Sequence, residues 1–484
     1  MFGEKQSGQS SDTTTSEGQQ ADQEPFRLLI GGGVMALLVV GVVLMILAVS
    51  QGGGHGKSEE EDKNVLADSD NECVVCHRRN TPGIIEQYGH SDKAAAGVSC
   101  QDCHEVEKDY PGAKQHQGTF VLTSPTPKVC AQCHEQEVSQ FNQSRHGIPA
   151  YAAMWGEETL NEKHKEMFEN IPEAKTPTNK ARNVLFKKEG RDITKFACEK
   201  CHNIGEPRKD GSVGRCQKCH LRHEFSLEQA RKPETCNACH IGPDHPQYEI
   251  YTNSPHGIAY HTQGDNWNWD AEAGTQSVKD FPAPTCATCH MSGFGGASTT
   301  HDVGERLSWY LFPPISTKRP AWQENRRRMK NVCSECHNRN HIDQFYEDAD
   351  RLTRKVNEWV RVGQDMMQYL RKEDVITDEK FDESIEYEMF ELWHHWGRTT
   401  KFGAWMLGPD YTQWHGAYEM LKSLTNLRKE HDELLKEHGK PVPDTDIPSD
   451  LVDEEEQEHG NKDAEDGNSD ASGGADESPG QQDN

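Results

Sequence analysis

The 16 cysteines of this chain are not scattered: all of them occur in pairs separated by two residues, and a histidine directly follows each pair. The cysteine pairs are Cys73/Cys76, Cys100/Cys103, Cys130/Cys133, Cys198/Cys201, Cys216/Cys219, Cys236/Cys239, Cys286/Cys289 and Cys333/Cys336. The histidines that follow them are His77, His104, His134, His202, His220, His240, His290 and His337. CxxCH is the attachment motif of c-type haem, in which two thiols bond to the porphyrin and the histidine becomes the proximal iron ligand.

Disulfides and zinc ribbons also use closely spaced cysteines. A zinc site, however, pairs one CxxC with a second ligand pair at a characteristic distance. Eight copies with no leftover cysteine instead predict eight covalently bound c-type haems. They would share 265 residues, from Cys73 to His337. A segment this dense predicts a multihaem cytochrome c domain at 65–345, with a haem-packed core joined by short helices and loops.

A haem that only carries electrons needs a second axial ligand, usually another histidine. Seven of the remaining histidines lie in suitable loops of the haem domain: His90, His116, His146, His223, His256, His301 and His341. Seven distal ligands for eight irons would leave one haem high-spin and open to substrate. His261 or His164 could fill the eighth position, and the protein would then be an electron-transfer module without catalysis.

A carboxylate and a spare imidazole, Asp244 and His245, follow the sixth motif in CNACHIGPDHPQYE. Histidine titrates near neutral pH, so an acid beside it could relay protons to an open haem. His245 could equally be a further axial ligand with Asp244 as its hydrogen-bond partner. The spacing alone does not decide between the two.

The N-terminal region predicts a membrane anchor. A disordered polar leader at 1–27 precedes Leu28–Val49, a stretch of 22 residues without a charge, which is long enough to span a bilayer. We therefore expect a transmembrane helix at 28–50, followed by a linker at 51–64. Ala48-Val49-Ser50 resembles a cleavage site, so a removed signal segment is the alternative. Because c-type haems are attached on the outer side of the membrane, the expected location is its periplasmic face.

The C-terminal part predicts a bundle of long helices at 346–440. Apolar residues recur at helical spacing from Leu352 to Leu370, and helices are expected at 378–403 and 411–438, with Asp410 as N-cap. The segment 441–484 has 15 acidic residues and one lysine, half of the net charge of −28, and reads as a disordered acidic tail. This charge argues against a nucleic-acid partner.

From Cys73 to about Glu419 the chain resembles the octahaem hydroxylamine oxidoreductase family. The resemblance rests on the eight CxxCH motifs and on the phrases CHIGPDHPQYE, SPHGIAY, TTHDVGERLSW and WHHWGR…GPDYTQWHGAYE. Competing octahaem families replace one proximal histidine by lysine, and no CxxCK occurs in the sequence.

The resemblance implies a mainly α protein that forms homotrimers and converts hydroxylamine, nitrite or hydrazine. In that family the fourth haem is the active one, which corresponds to Cys198, Cys201 and His202. The catalytic acid and base correspond to Asp244 and His245, and the other seven haems conduct electrons between bis-histidine ligands. A cytochrome or a quinone-linked membrane protein would be the redox partner.

The resemblance also bears on the direction of the reaction. Oxidising members carry a tyrosine from a neighbouring subunit that is covalently bound to the active haem. Tyr387, Tyr411 and Tyr418 are available here, but Trp405 stands where the linking residue is expected. The sequence therefore favours a reducing enzyme without the crosslink. The alternative is a crosslinked, hydroxylamine-oxidising enzyme.

Overall fold

The computed structural model describes residues 64–171, 182–445 and 447–448. The predicted leader, the predicted membrane span and nearly all of the acidic tail lie outside these ranges. Within them, no helix has both the length and the apolar character needed to cross a bilayer. The predicted fold class and membrane-anchored location are corrected to this finding: the described residues form a fold without a membrane-spanning helix. What the described residues have is a mainly helical fold.

The motif-rich region, from residue 64 to His337, consists of short helices. In chain order they are α1 Glu72–Asn80, α2 Pro82–Gly89, α3 Asp92–Ala95, α4 Cys100–His104, α5 Pro127–Cys130, α6 Glu135–Gln143, α7 Ile148–Trp155, α8 Glu162–Glu169, α9 Val184–Glu189, α10 Arg191–Thr194, α11 Cys198–His202, α12 Leu227–Arg231, α13 Pro233–Asn237, α14 Gln247–Asn253, α15 Pro255–Gln263, α16 Cys286–His290 and α17 Trp322–Cys333. Few of them reach the length at which an isolated helix is stable in water.

Local capping explains why several motifs form a helical turn. Ser99 begins α4 with a capping box, in which its hydroxyl accepts from the Asp102 amide and the Asp102 carboxylate accepts from the Ser99 amide. Thr285 and Thr288 form the same arrangement at α16. These bonds satisfy amides that would otherwise be unpaired at a helix start. In α4 and α16 the second cysteine and the histidine are thereby held on one turn.

Two small antiparallel hairpins complete this region. β1, Lys114–His116, pairs with β2, Thr119–Val121, and β3, Trp309–Tyr310, pairs with β4, Thr317–Lys318. The first hairpin carries His116 at its turn. The second leads through Phe312 to Ser316, two residues that face the C-terminal helices.

The C-terminal region is built from long helices. They are α18 Arg339–Lys372, α19 Ser384–Glu391, α20 Gly397–Trp405, α21 Pro409–Thr412 and α22 Tyr418–Glu437, with π-helical turns at Leu392–Trp396 and Gln413–Ala417. Asn338 caps α18 by accepting from the His341 amide. At α21 the N-cap is Gly408 rather than the expected Asp410, because Pro409 occupies the first helical position, where its missing N–H costs nothing.

The core of the C-terminal region is an ordinary apolar one. Val360, Leu370, Leu392, Leu424 and Leu427 are fully buried and belong to one cluster. The helices approach closely at Gly363, where a β-carbon would lie 2.8 Å from atoms of the Leu392 and Met389 side chains.

Candidate active site

Five predicted distal histidines lie opposite the proximal histidine of a motif. The ring centroids of these pairs are 6.0–6.3 Å apart. The pairs are His77 with His116, His104 with His223, His220 with His301, His240 with His146, and His337 with His256. Metal–imidazole bonds of about 2 Å on both sides of one iron place the ring centroids roughly 6 Å apart. The residues present therefore fit bis-histidine haems.

The other two predicted distal ligands are placed differently. The His90 Nε2 lies 3.2 Å from the Glu86 carboxylate one turn earlier. His341 stacks on His337 at 4.8 Å, which is too short for an iron between the rings. An imidazole partner at haem spacing is thus established for five motifs, and the distal partners of His134, His202 and His290 stay predictions.

The spare histidines do not join these pairs. His164 is buried on α8, where the backbone at Ser212 is its partner. His261 is exposed on α15 and lies beside Tyr260.

Several proximal histidines are oriented by a hydrogen bond at Nδ1. His104 donates to the Leu122 carbonyl at 2.6 Å and His202 to the Ala150 carbonyl at 2.7 Å, while the Nδ1 of His240 lies 3.1 Å from the Gln247 Oε1. A bond at Nδ1 directs Nε2 towards the metal and fixes the ring. Burial also lowers the pKa of His220, His240 and His290 to about 4, which keeps the rings in the neutral form that binds iron.

The predicted haem-binding cysteines are not equally enclosed. Cys76, Cys133 and Cys336 are exposed to solvent, whereas the remaining motif cysteines are partly buried. Each exposed cysteine is the second cysteine of its motif, and the Cys76 Sγ accepts a 3.2 Å hydrogen bond from the exposed Asn80.

Exposure does not prevent these thiols from bonding to a porphyrin. The 16 cysteines, all within the described ranges, are free thiols rather than disulfides, so each is available for a thioether bond. Attachment of haem through Cys76, Cys133 and Cys336 stays a prediction.

Apolar side chains beside other motifs fit a porphyrin as well. Phe196, Leu221 and Ile241, which border the fourth, fifth and sixth motifs, are half or more exposed to solvent. Side chains of this kind cost free energy in water and gain it against a flat apolar ring.

Contacts between thiols show which motifs are neighbours in space. They join Cys130 with Cys216, Cys201 with Cys239, and Cys236 with Cys286. The third motif therefore lies against the fifth, the fourth against the sixth, and the sixth against the seventh. Haems attached there would be close enough for direct electron transfer.

Asp244 and His245 lie at the fourth motif. The His245 Nδ1 is 2.7 Å from the Asp244 Oδ2, and the charges of both residues act on the buried His202. Burial alone would raise the pKa of Asp244, but the hydrogen bond from His245 and the charges around it hold that pKa well below its usual range. Asp244 is thus an ionised acceptor that orients the imidazole of His245.

His245 also lies 6.1 Å from the ring of His240. This spacing fits the role of an axial ligand, and His146 lies at 6.0 Å from the same ring. Because one iron takes only one ligand opposite His240, at most one of His146 and His245 can serve as that ligand.

Helix α20 and the π turn before it place further polar residues beside Asp244 and His245. Arg398 Nη1 is 3.9 Å from the Asp244 carboxylate and 3.0 Å from the His394 Nε2, and Arg398 Nε donates to the Phe312 carbonyl at 2.9 Å. Thr399 donates to the Pro243 carbonyl at 3.0 Å. The sequence prediction missed these residues. The signal that could have found them is the i, i+4 spacing of His394 and Arg398 in WHHWGR, which puts both side chains on one helix face.

The aromatic residues considered for a crosslink lie elsewhere on the C-terminal helices. Trp405 donates to the Thr353 hydroxyl at 2.9 Å and packs edge-on against Phe345 and Tyr346, so it is held within its own chain. Tyr411 stacks on His415 at 4.8 Å. Tyr387 and Tyr418 are each about half exposed.

The CxxCH motifs, the paired histidine rings and the Asp244–His245 pair are together the features of a multihaem c-type cytochrome. The family model for cytochromes with seven CxxCH motifs, "Seven times multi-haem cytochrome CxxCH", matches residues 96–383. The chain belongs to this family and binds covalently attached c-type haems. The predicted membership among hydroxylamine oxidoreductase-like multihaem cytochromes is confirmed.

One curated relative is the probable nitrite reductase–hydroxylamine oxidoreductase fusion protein of Kuenenia stuttgartiensis. It is 25% identical over 352 residues, which cover 60% of this chain and 36% of the relative. The chain thus spans about a third of that protein's length.

Two solved structures share the fold. A hypothetical multiheme protein matches with a TM-score of 0.65 and 21% identity over 79% of this chain and 100% of its own. The reducing HAO-like protein complex of Kuenenia stuttgartiensis matches with a TM-score of 0.56 and 19% identity, over 76% and 85% of the two chains.

Proposed function

We propose that this protein is a haem-dependent oxidoreductase that converts a small nitrogen compound at the haem of Cys198, Cys201 and His202. Seven further haems would carry electrons. The observation that carries the proposal is the 2.7 Å contact between Asp244 and His245 beside His202. The curated relative, a probable nitrite reductase–hydroxylamine oxidoreductase fusion protein, supports nitrogen compounds as the substrate class.

When bound, the haem iron supplies a coordination position for a nitrogen atom and an electron path to the other haems. The chain supplies the protons. Asp244 accepts the hydrogen bond from Nδ1 of His245, which leaves Nε2 of that ring to give a proton to the substrate or to take one. The Ala150 carbonyl accepts from Nδ1 of His202 and holds that ring in one orientation, which would leave its Nε2 for the iron.

We infer that the enzyme runs in the reducing direction. Trp405 occupies the position expected for the crosslinking residue, and its indole is engaged with Thr353. Mass spectrometry of the haem peptides tests this inference. A peptide with Cys198 and Cys201 that carries only two thioethers supports reduction, whereas a third bond to a tyrosine peptide supports hydroxylamine or hydrazine oxidation.

We also propose that the chain forms a homotrimer and receives electrons from a cytochrome partner. Trp414 is 62% and Tyr418 49% exposed, and an aromatic face of this kind is typical of a surface covered by another subunit. Light scattering of the full protein measures the subunit number, and Trp414→Asp should lower it.

The decisive experiment is His245→Gln in the haem-loaded protein. We expect hydroxylamine and nitrite conversion to fall by roughly 10²- to 10⁴-fold, while the haem content stays unchanged. His438→Gln is the matched control, since His438 is exposed at the end of α22 and binds only the Leu434 carbonyl. Equal activity of the two variants would refute the relay.

A second candidate function is an electron carrier without catalysis. It is favoured by the 6.1 Å spacing of His240 and His245, which suits an axial ligand. All haems would then be low-spin. A high-spin signal in the electron paramagnetic resonance spectrum of the resting protein would exclude this candidate.

A further inference from the structure

A buried arginine beside the acid–base pair has an incomplete set of partners. Arg398 is 8% exposed and lies between the rings of Phe312 and Trp393, each with its centroid 5.2 Å from the guanidinium carbon. Its Nε donates to the Phe312 carbonyl, and its Nη1 donates to His394. In the described part of the chain these hydrogen bonds leave Nη2 without a partner.

The nearest carboxylate neutralises Arg398 only weakly. Asp244 Oδ2 lies 3.9 Å from Nη1, and the same carboxylate is engaged at 2.7 Å by His245. A buried charge without a close counter-ion is unfavourable unless something compensates it. A planar guanidinium with two donors on one edge compensates best by binding the two oxygens of a small anion.

His394 fixes the orientation of this guanidinium. Its Nε2 accepts from Arg398, so Nδ1 carries the ring proton, and Phe390 stacks on the ring at 4.2 Å. Burial and then the charge of Arg398 lower the pKa of His394 to about 2, so the ring stays a neutral acceptor. The buried Nδ1 has no partner within the described residues, which is a second donor available to a ligand.

We propose that Arg398 binds the substrate of the reaction as a small oxyanion of the nitrite type, and that His394 is the residue that positions Arg398. This inference rests on the proposed function and makes it more specific. An uncharged substrate such as hydroxylamine gains little from a guanidinium. The geometry therefore assigns the anion-reducing step to this site.

The test uses the haem-loaded full chain with a reduced viologen as electron donor and compares nitrite with hydroxylamine. For Arg398→Gln we expect kcat/KM for nitrite to fall by roughly 10- to 100-fold, the cost of a hydrogen bond to a charged group. The loss for hydroxylamine should be several-fold smaller. Arg398→Lys keeps the charge without the two-pronged edge, so it should lie between Arg398→Gln and the unaltered protein for nitrite.

His394 is tested by a pair of variants. His394→Phe removes the acceptor and should raise KM for nitrite with little change in kcat, whereas His394→Gln retains an acceptor oxygen and should restore KM. Nitrite titration of the oxidised protein, followed by the haem absorption band, gives the dissociation constant independently of turnover. Only nitrite binding should weaken in Arg398→Gln, and an unchanged haem content shows that the variant is folded.

The outcomes separate this inference from the proposed function. Equal losses on both substrates, or an unchanged dissociation constant for nitrite, would mean that Arg398 only pairs with Asp244. If the unaltered protein converts hydroxylamine and not nitrite, the anion assignment fails and the proposed oxidoreductase remains. If it converts neither compound in either direction, both are refuted.

Discussion

The motif-rich region and the C-terminal helices are stabilised in different ways. In the C-terminal region, Val360, Leu370, Leu424, Leu427 and their neighbours form one buried apolar cluster. The motif-rich region has helices of mostly four to nine residues and smaller apolar clusters, with half-exposed apolar side chains beside its motifs. We therefore expect one region to fold around its own side chains and the other to require its haems as part of its core.

The largest effect should come from protein made without haem attachment. Residues 64–337 should then lose their protection against amide hydrogen exchange, because helices of this length are not stable alone. The segments 352–372 and 418–437 should keep theirs. Hydrogen exchange with mass spectrometry, against the haem-loaded protein as control, measures both. Full protection of the motif-rich region without haem would contradict the difference between the two regions.

This difference also decides what the sequence could reveal. The proximal ligands follow from local spacing, but the distal ones meet them across long separations, as His104 and His223 do. We expect such pairs to be joined through a metal, and no periodicity of side chains indicates them. Candidate distal ligands could be recognised by their loops, whereas their assignment to a motif required the structure. The exposure of Cys76 and Cys133 likewise required the structure, because every CxxCH motif has the same local spacing whether it lies inside or at the surface.

In the C-terminal region the apolar repeat located the helices but not their details. The predicted repeat begins at Leu352, whereas α18 begins at Arg339 after the Asn338 cap. Its first turns bury Ile342, Tyr346 and Ala349, which the prediction did not include. The π turn at Leu392–Trp396 left no signal in the pattern. It adds a residue to the helical turn that carries His394 and leads into Arg398, and π turns of this kind are frequent at functional sites.

A cavity in the C-terminal core should affect only the region that has such a core. Leu424 is fully buried, so Leu424→Ala should cost about 2–5 kcal/mol of the free energy of unfolding. Leu421→Ala on the same helix is the control, since Leu421 is 39% exposed. Thermal unfolding should show an earlier loss of helix circular dichroism in Leu424→Ala only. A parallel shift in the haem absorption transition would show that the two regions unfold as one unit.

Lys401 is a charged residue inside the helical region. It is fully buried on α20, and its amine lies 2.8 Å from the Ser316 hydroxyl. Burial, and then the charge of Arg398, lower the pKa of Lys401 from 10.5 to about 7. Between these values the unfolded chain binds more protons than the folded one, so stability rises with pH over this interval. The penalty is fully present below pH 7.

Lys401→Met should therefore stabilise the protein by an amount that depends on pH. We expect a gain on the order of 2 kcal/mol at pH 6 that becomes small near pH 10. Melting temperatures of both proteins at the two pH values measure it. A variant that is less stable at both pH values would show that the amine has a favourable charged partner.

The smallest effect concerns one hydrogen bond between the C-terminal helices and the loop that carries the acid–base pair. Thr399 on α20 donates to the carbonyl of Pro243, directly before Asp244 and His245. Thr399→Val keeps the shape but leaves the carbonyl unpaired, at a cost of about 1 kcal/mol. The loop that carries the acid–base pair should become less well oriented, so activity should fall more than stability.

Thr425→Val is the matched control for this change, since the Thr425 hydroxyl bonds only to the Leu421 carbonyl within α22. We expect kcat to fall by roughly fivefold in Thr399→Val, with the melting temperature within a few degrees of the control. If kcat is unchanged, the loop is positioned by the motif-rich region alone. If kcat falls as expected, the C-terminal helices contribute to catalysis because they orient the Asp244–His245 pair, which belongs to the motif-rich region.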